Sequence, residues 1–481
     1  MTDANKISQK EIELRRTAIR VTLFETFSFI EKQKIVNKAT IISDIPTING
    51  LEMEYAKAKR VYSFSTGQIL GCGPNDAPAN YQSSGYGLLK PFLLKDLNNT
   101  YNVKDGAGKA NIKMGKGFST EGELWGLETL NDSSNGYFRA VFPIDGFTQV
   151  PVNYMIGHHF LIDENSLRGH GYIQIKIGAF NIGFYDYDHE KQRYIFIDCK
   201  DKVSLGEFEK ILDAITYSFA LISGSLVRNE VTILGFGNSD FTSLQGFRFN
   251  QLKDSNISDL ELVNPRQYKD YDGLDRMIFF PEEVFSKIIT LCLTDRRWLR
   301  AIKIIAQARG LPTELEASAF FVSLETIKEI IIEENNDKIA PFKNPKTATD
   351  YIEKFKNIIE EIADDEFTNK NAVIRKLNDL NKVGNNESFK LAFGLVGFKL
   401  TKADIQCISL RNRFLHGNIP FDHEPQQKKE RELIKIALNA HLLTCSLILK
   451  YANYNGVVKN FLKYWDLHTK TENQDELFRP I

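Results

Sequence analysis

The stretch Lys402–Gly417, KADIQCISLRNRFLHG, sets the reading of the whole chain. Ile405, Ile408 and Leu415 give it an apolar side at helical spacing. Gly417 supplies the stop, and Pro420 keeps the helix from resuming. Toward its end this short helix carries Arg411, Asn412, Arg413 and His416. Asn412 and His416 are four apart and lie on one face. Arg411 and His416 are five apart, about 140° around an ideal helix. They meet at one ligand if the last turn unwinds or a second copy of the site completes the first. A helix C-terminus also favours a protonated imidazole.

Outward from this stretch, the C-terminal part has a period of 3.6. Trp298, Ile302 and Ile305 suggest a helix stopped by Gly310 and Pro312. Thr313 and Glu316 have the spacing of a capping box, followed by a stripe of Ala317, Phe320, Leu324, Ile327 and Ile331. Tyr351, Phe355, Ile358, Ile359 and Ile362 mark another helix, and Leu433, Ile436, Ala437, Ala440, Leu447 and Tyr451 a long apolar one. Such stripes are expected to pack on one another as a helical bundle.

Before residue 277 the pattern is different. Ile173, Ile175 and Ile177 alternate with Gln174 and Lys176, a period of two. The run Tyr194 to Ile197 follows a polar segment with Asp186, Asp188, His189 and Glu190, so a hairpin is expected, with these four in its turn. Within this β-rich part, Ser204 and Glu207 form a capping box, Phe208 to Ile222 carry an apolar stripe, and Gly224 stops the helix. The polar segment Asn264 to Met277 is the expected linker. The expectation is therefore an α+β protein of two domains: a β-rich domain over 1–276 and an all-α domain over 277–481.

Composition narrows the function. The 481 residues carry 61 basic and 62 acidic side chains, net −1, so contact with nucleic acid must rest on a local patch. The first residues, MTDANKISQKEIELRR, lack the apolar stretch of a signal peptide, and no run approaches the roughly 20 apolar residues of a membrane span. Five scattered cysteines without a C-x-x-C speak against a disulfide framework or a zinc site, so a cytoplasmic protein is expected. His158 and His159 are adjacent and in a strand point to opposite faces, which disfavours a shared metal.

The chemistry that suits Arg411, Asn412 and His416 is cleavage of RNA through its own 2′-hydroxyl. A histidine moves protons near neutral pH, an arginine holds phosphate oxygens, and an asparagine orients the imidazole. This chemistry requires no metal or other cofactor, and its products are a 2′,3′-cyclic phosphate and a 5′-hydroxyl. Arg413, Lys428, Lys429 and Arg431 are candidate contacts for the RNA backbone, since Lys402 to Lys435 carries seven basic and five acidic residues. Glu325, beside the apolar stripe that follows Thr313, is a candidate support that orients Arg411. His441, on an apolar helix face, is expected to be a core histidine.

The run Arg411-Asn412-x-x-x-His416-Gly417, just before a long apolar helix, resembles the R-x4-6-H signature of HEPN domains. The wider stretch from Asn381 to Phe398, NKVGNNESFKLAFGLVGF, is similar to the Apea-like branch, which joins a β-rich region to a C-terminal HEPN domain. The resemblance covers roughly the last 200 residues. It implies metal-independent endoribonuclease activity, with Arg411, Asn412 and His416 in the catalytic positions. It also implies a homodimer that brings two such motifs into one cleft, and a part in anti-phage defence. The β-rich domain is then expected to sense a phage-derived trigger. The alternative is a non-catalytic HEPN module that binds RNA or a partner protein through the same basic cleft.

Overall fold

The structure is a computed structural model. It describes most of residues 126–265 and 279–481; before residue 126 it describes Thr26 and the backbone of the β-strands. Two compact units result, Met1–Ile257 with Asn264–Thr290, and Ser258–Val263 with Leu291–Ile481. The expected division at 276/277, and most of the expected linker, lie outside the described residues. Sheet and helix segregate along the chain, so the protein is α+β.

The first unit contains a twelve-stranded antiparallel sheet and a six-stranded one. In the larger, β1 (Asn135–Ile144), β2 (His170–Ile177), β3 (Phe180–His189), β4 (Gln192–Ser204), β5 (Glu230–Phe236) and β6 (Leu244–Gln251) run in the order β2-β3-β4-β1-β5-β6. The period of two holds: Ile173, Ile175 and Ile177 are buried, while Gln174 and Lys176 are exposed. Gly178 turns β2 into β3 at φ 57°. The expected hairpin forms between β3 and β4, but its turn is shorter than the polar cluster suggested. Asp186 and Asp188 lie within β3, opposite Ile195 and Arg193. Asp186 is buried and takes hydrogen bonds from Arg193 Nε at 3.1 Å and Nη2 at 2.6 Å.

Across the sheet centre, Arg139 of β1 faces Asp198 of β4. Its guanidinium donates to the carboxylate at 2.7 and 2.8 Å, and the Tyr185 hydroxyl donates to the same carboxylate at 2.8 Å. Arg139 also stacks on the Phe241 ring, 4.4 Å from its centroid. Helix α1 (Leu205–Ser223) covers this sheet, with Phe208 stacked on Phe138 and Phe219 edge-on to Phe184. Its N-terminus keeps half of the expected capping box, the Ser204 hydroxyl accepting from the Glu207 N–H without a return bond from the Glu207 side chain among the described residues, and Gly224 closes the helix at φ 67°.

After α2 (Glu282–Thr294), the second unit comprises α3 (Arg296–Ala308), α4 (Thr313–Glu334), α5 (Asn336–Ile339), α6 (Pro345–Glu361), α7 (Lys370–Asn378), α8 (Asn385–Leu395), α9 (Lys402–Leu415), α10 (Gln426–Tyr451) and α11 (Phe461–Thr469). Helix α4 is the centre, with α3, α8, α9 and α10 packed on it. Its expected capping box is absent. Thr313 already lies inside the helix behind Pro312, and Glu316 instead pairs with Arg309. Helix α10 is long and apolar enough to cross a membrane by length and composition, yet most of that apolar stretch is buried within the protein. The stripe of α6 departs from expectation: Tyr351, Phe355, Ile358 and Ile362 are 36–54% exposed, so they do not join the bundle core.

His441 of α10 is a core residue, 2% exposed between the rings of Phe320 and Phe461. Its Nδ1 has no hydrogen-bond partner among the described residues. Burial, and then the Arg309 charge, hold its pKa down at about 3. The neutral ring is thus the native form, whereas an unfolded imidazole takes a proton below about pH 6.5. Between those values the unfolded chain binds more protons, so the contribution is complete above pH 6.5 and is lost as pH falls toward 3. From pH 6.5 to pH 5 His441 is expected to withdraw about 2 kcal/mol, and His441→Gln to flatten that part of the stability profile. Urea unfolding of both proteins at the two pH values checks this; equal slopes would refute it.

Candidate active site

Helix α9 begins in a closed capping box: Thr401 Oγ1 accepts from the Asp404 N–H, and Asp404 Oδ2 accepts from the Thr401 N–H. Asp404 is itself buried and is clamped by Arg479 at 3.1 and 2.6 Å. From this fixed start the packed face runs through Asp404, Cys407, Ile408, Arg411 and Phe414. Ile405, expected in the core, is 43% exposed. The helix is rotated so that Phe414 packs on Phe321 of α4 and Cys407 lies against α10. That rotation carries Arg411 inward.

Arg411 has no exposed surface. Its Nε donates to Glu325 Oε1 of α4 at 2.8 Å, and its Nη1 to Asn386 Oδ1 of α8 at 2.8 Å and to the Ile408 carbonyl at 3.3 Å. The guanidinium carbon lies 4.5 Å from the centroid of the Phe389 ring. Nη2 is buried without a partner among the described residues. The structure thus brings Glu325 to Arg411. A second cation stands alongside: Lys328, one turn along α4 from Glu325, donates to Asn385 Oδ1 at 3.2 Å and lies 5.0 Å from the centroid of the same Phe389 ring.

His416 is the C-cap of α9, its backbone N–H reaching the Asn412 and Phe414 carbonyls, and Gly417 follows at φ 71°. Its ring is exposed, as are Asn412 and Arg413. Among the described residues no hydrogen bond joins His416 or Asn412 to Arg411 through their side chains. Within one chain, then, the expected pair is divided between an enclosed guanidinium and a solvated imidazole.

The expected backbone contacts are partly occupied. Lys428 pairs with Glu424 at 2.9 Å, and Lys429 with Asp422 at 2.7 Å and Glu314 at 3.5 Å. Arg413 and Arg431 are exposed and have no ion pair among the described residues. Among the described residues no group of three or more His, Cys, Asp or Glu side chains is arranged to hold a metal ion. Sequence reasoning missed Lys328, Asn385, Asn386 and Phe389. The two asparagines lie inside the Asn381–Phe398 stretch, but only the fold shows that Asn386 meets Arg411 and Asn385 meets Lys328. Comparison with family models, curated proteins and solved structures finds no match.

Proposed function

We propose that this chain is a HEPN-type endoribonuclease that cleaves RNA without a metal, acting in anti-phage defence. One observation supports it above the rest. Arg411 is wholly enclosed, yet α4, α8 and α9 all contribute to its surroundings, and two of its neighbours, Asn386 and Phe389, belong to the stretch that resembles the Apea-like branch. Enclosing a guanidinium costs several kcal/mol of desolvation, so a helix end with only a structural task gains little from it. Such confinement suits a group that must meet a phosphate with fixed geometry.

In the proposed reaction His416 takes the proton of the 2′-hydroxyl. The 2′-oxygen bonds to phosphorus, and Arg411 balances the charge on the non-bridging oxygens. The bond to the 5′-oxygen breaks as that oxygen takes a proton from water, leaving a 2′,3′-cyclic phosphate and a 5′-hydroxyl, and the protonated His416 returns its proton to solvent. Since one chain keeps Arg411 and His416 apart, a homodimer is proposed to assemble the working cleft, with Asn412 orienting the imidazole. The first unit is proposed to sense a phage-derived trigger. The separation of enclosed Arg411 from exposed His416 within one chain favours a second reading, a HEPN module that binds RNA or a partner without cutting.

Incubation of the purified protein with cellular RNA, with and without chelator, separates the two. Cutting is expected to resist the chelator and to fall about 10²- to 10⁴-fold in His416→Ala, the range of a lost general acid–base. Because His416 is exposed, that variant is expected to keep its stability within about 0.5 kcal/mol. Undiminished cutting by His416→Ala would overturn the proposal.

A further inference from the structure

Lys328 and Arg411 are both enclosed, and each donates to one exposed amide; Lys328 also lies 3.7 Å from the Glu329 carboxylate. Asn385 Oδ1 accepts from Lys328 Nζ at 3.2 Å, and Asn386 Oδ1 accepts from Arg411 Nη1 at 2.8 Å. Lys328 is 5% exposed and Arg411 0%, whereas both asparagines are exposed. The asparagines are the first two residues of α8, an eleven-residue helix whose free N–H groups and dipole favour an anion there. Both cations lie over the ring of Phe389, and Glu325 accepts from Arg411 through Nε alone, its Oε1 also accepting from Asn385 Nδ2 at 3.5 Å. Arg411 Nη2 is left buried with no acceptor among the described residues.

We infer that these groups form a phosphate seat, with Lys328 as a second RNA-binding cation and the amide oxygens of Asn385 and Asn386 as displaceable lids. This assignment rests on the ribonuclease proposal in that the phosphate it holds is one of the RNA backbone. Each lid oxygen occupies a place suited to a phosphate oxygen. Rotation of two exposed side chains uncovers the cations without moving a helix. A phosphate then offers Lys328 and Arg411 a charged acceptor in place of the neutral amide oxygens, so that ion pairs with ion.

The test is fluorescence anisotropy of a short labelled single-stranded RNA over a range of salt concentrations, in the His416→Ala background so that the probe stays intact. Lys328→Gln is expected to weaken binding about tenfold at low salt and to reduce the slope of log K against log salt by about 0.7, the loss of one phosphate contact on a single strand. Lys328→Arg is expected to restore both. Asn386→Asp is the second arm. An acid in the first turn of α8 suits the helix, so a purely structural site leaves this variant folded with unchanged RNA affinity. In a phosphate seat the new carboxylate stays on Arg411, and binding is expected to fall at least tenfold. Unchanged affinity and salt slope in Lys328→Gln, or unchanged affinity in Asn386→Asp, would overturn the seat. If the binding pattern holds but the wild type cuts no RNA, the seat stands and the ribonuclease proposal falls; if the wild type cuts and the pattern is missing, the reverse is true.

Discussion

Glu325→Ala is expected to destabilise the helical unit by about 3–5 kcal/mol, the range for removing one partner of a buried ion pair. The asymmetry of the pair sets the direction. Glu325 keeps 23% of its side chain exposed, whereas Arg411 keeps none. Removing the carboxylate therefore strands a cation that water cannot reach, with only the Asn386 and Ile408 oxygens as acceptors. Glu325→Gln retains an acceptor for Nε and is expected to cost less than half as much. Changing Glu325 and Arg411 together to leucine removes both charges and is expected to be closer to neutral than either single change. Denaturant titrations of the three variants read this directly. A Glu325→Ala loss below about 1 kcal/mol would mean that Arg411 finds other partners. RNA cutting is also expected to fall in Glu325→Gln, through a misplaced guanidinium.

Asp198→Ala is expected to have an effect of similar size, about 3–5 kcal/mol, in the first unit. There the cation is Arg139, 1% exposed at the sheet centre, and Asp198 accepts from its Nε and Nη2 and from Tyr185. Burial and the neighbouring Asp198 hold the Tyr185 hydroxyl protonated well past its usual range, while Arg139 opposes them; the phenol therefore remains a donor. Loss of the carboxylate removes three acceptor contacts from a region with no solvent to replace them. Hydrogen exchange at the amides of β1 and β4 reports this unit separately from the helical one. Protection equal to wild type would show that the other contacts of Arg139, the Thr26 hydroxyl and the Phe241 ring among them, suffice to hold it.

Much of the fold was legible where local chemistry decides it. The Ser204 cap, the Gly224 stop and the alternation in β2 depend on neighbours within a few residues, and each forms, although the cap is only the Ser204 half of the expected capping box. What packs on what depends on the whole chain. Tyr351 to Ile362 have the spacing of a core helix, yet α6 leaves that face exposed because spacing shows that a stripe exists and not what covers it. Thr313 failed as a cap because Pro312 starts the helix one residue earlier. The site divides in the same way. The sequence offered Arg411, His416 and Glu325, and the Glu325–Arg411 pair is there. The enclosure of Arg411 was hidden, because a charged side chain reads as surface until its partners on α4 and α8 are known. Lys328 was hidden for the same reason: nothing in its neighbourhood on α4 announces an asparagine from another helix.

The most direct test of the account is the chemistry of the ends it leaves. RNA cut by the purified protein in the presence of chelator is expected to carry a 2′,3′-cyclic phosphate and a 5′-hydroxyl, and a substrate with a single 2′-deoxy nucleotide at the cut position is expected to resist. Ends bearing a 3′-hydroxyl and a 5′-phosphate, or cutting that continues past the 2′-deoxy position, would contradict it.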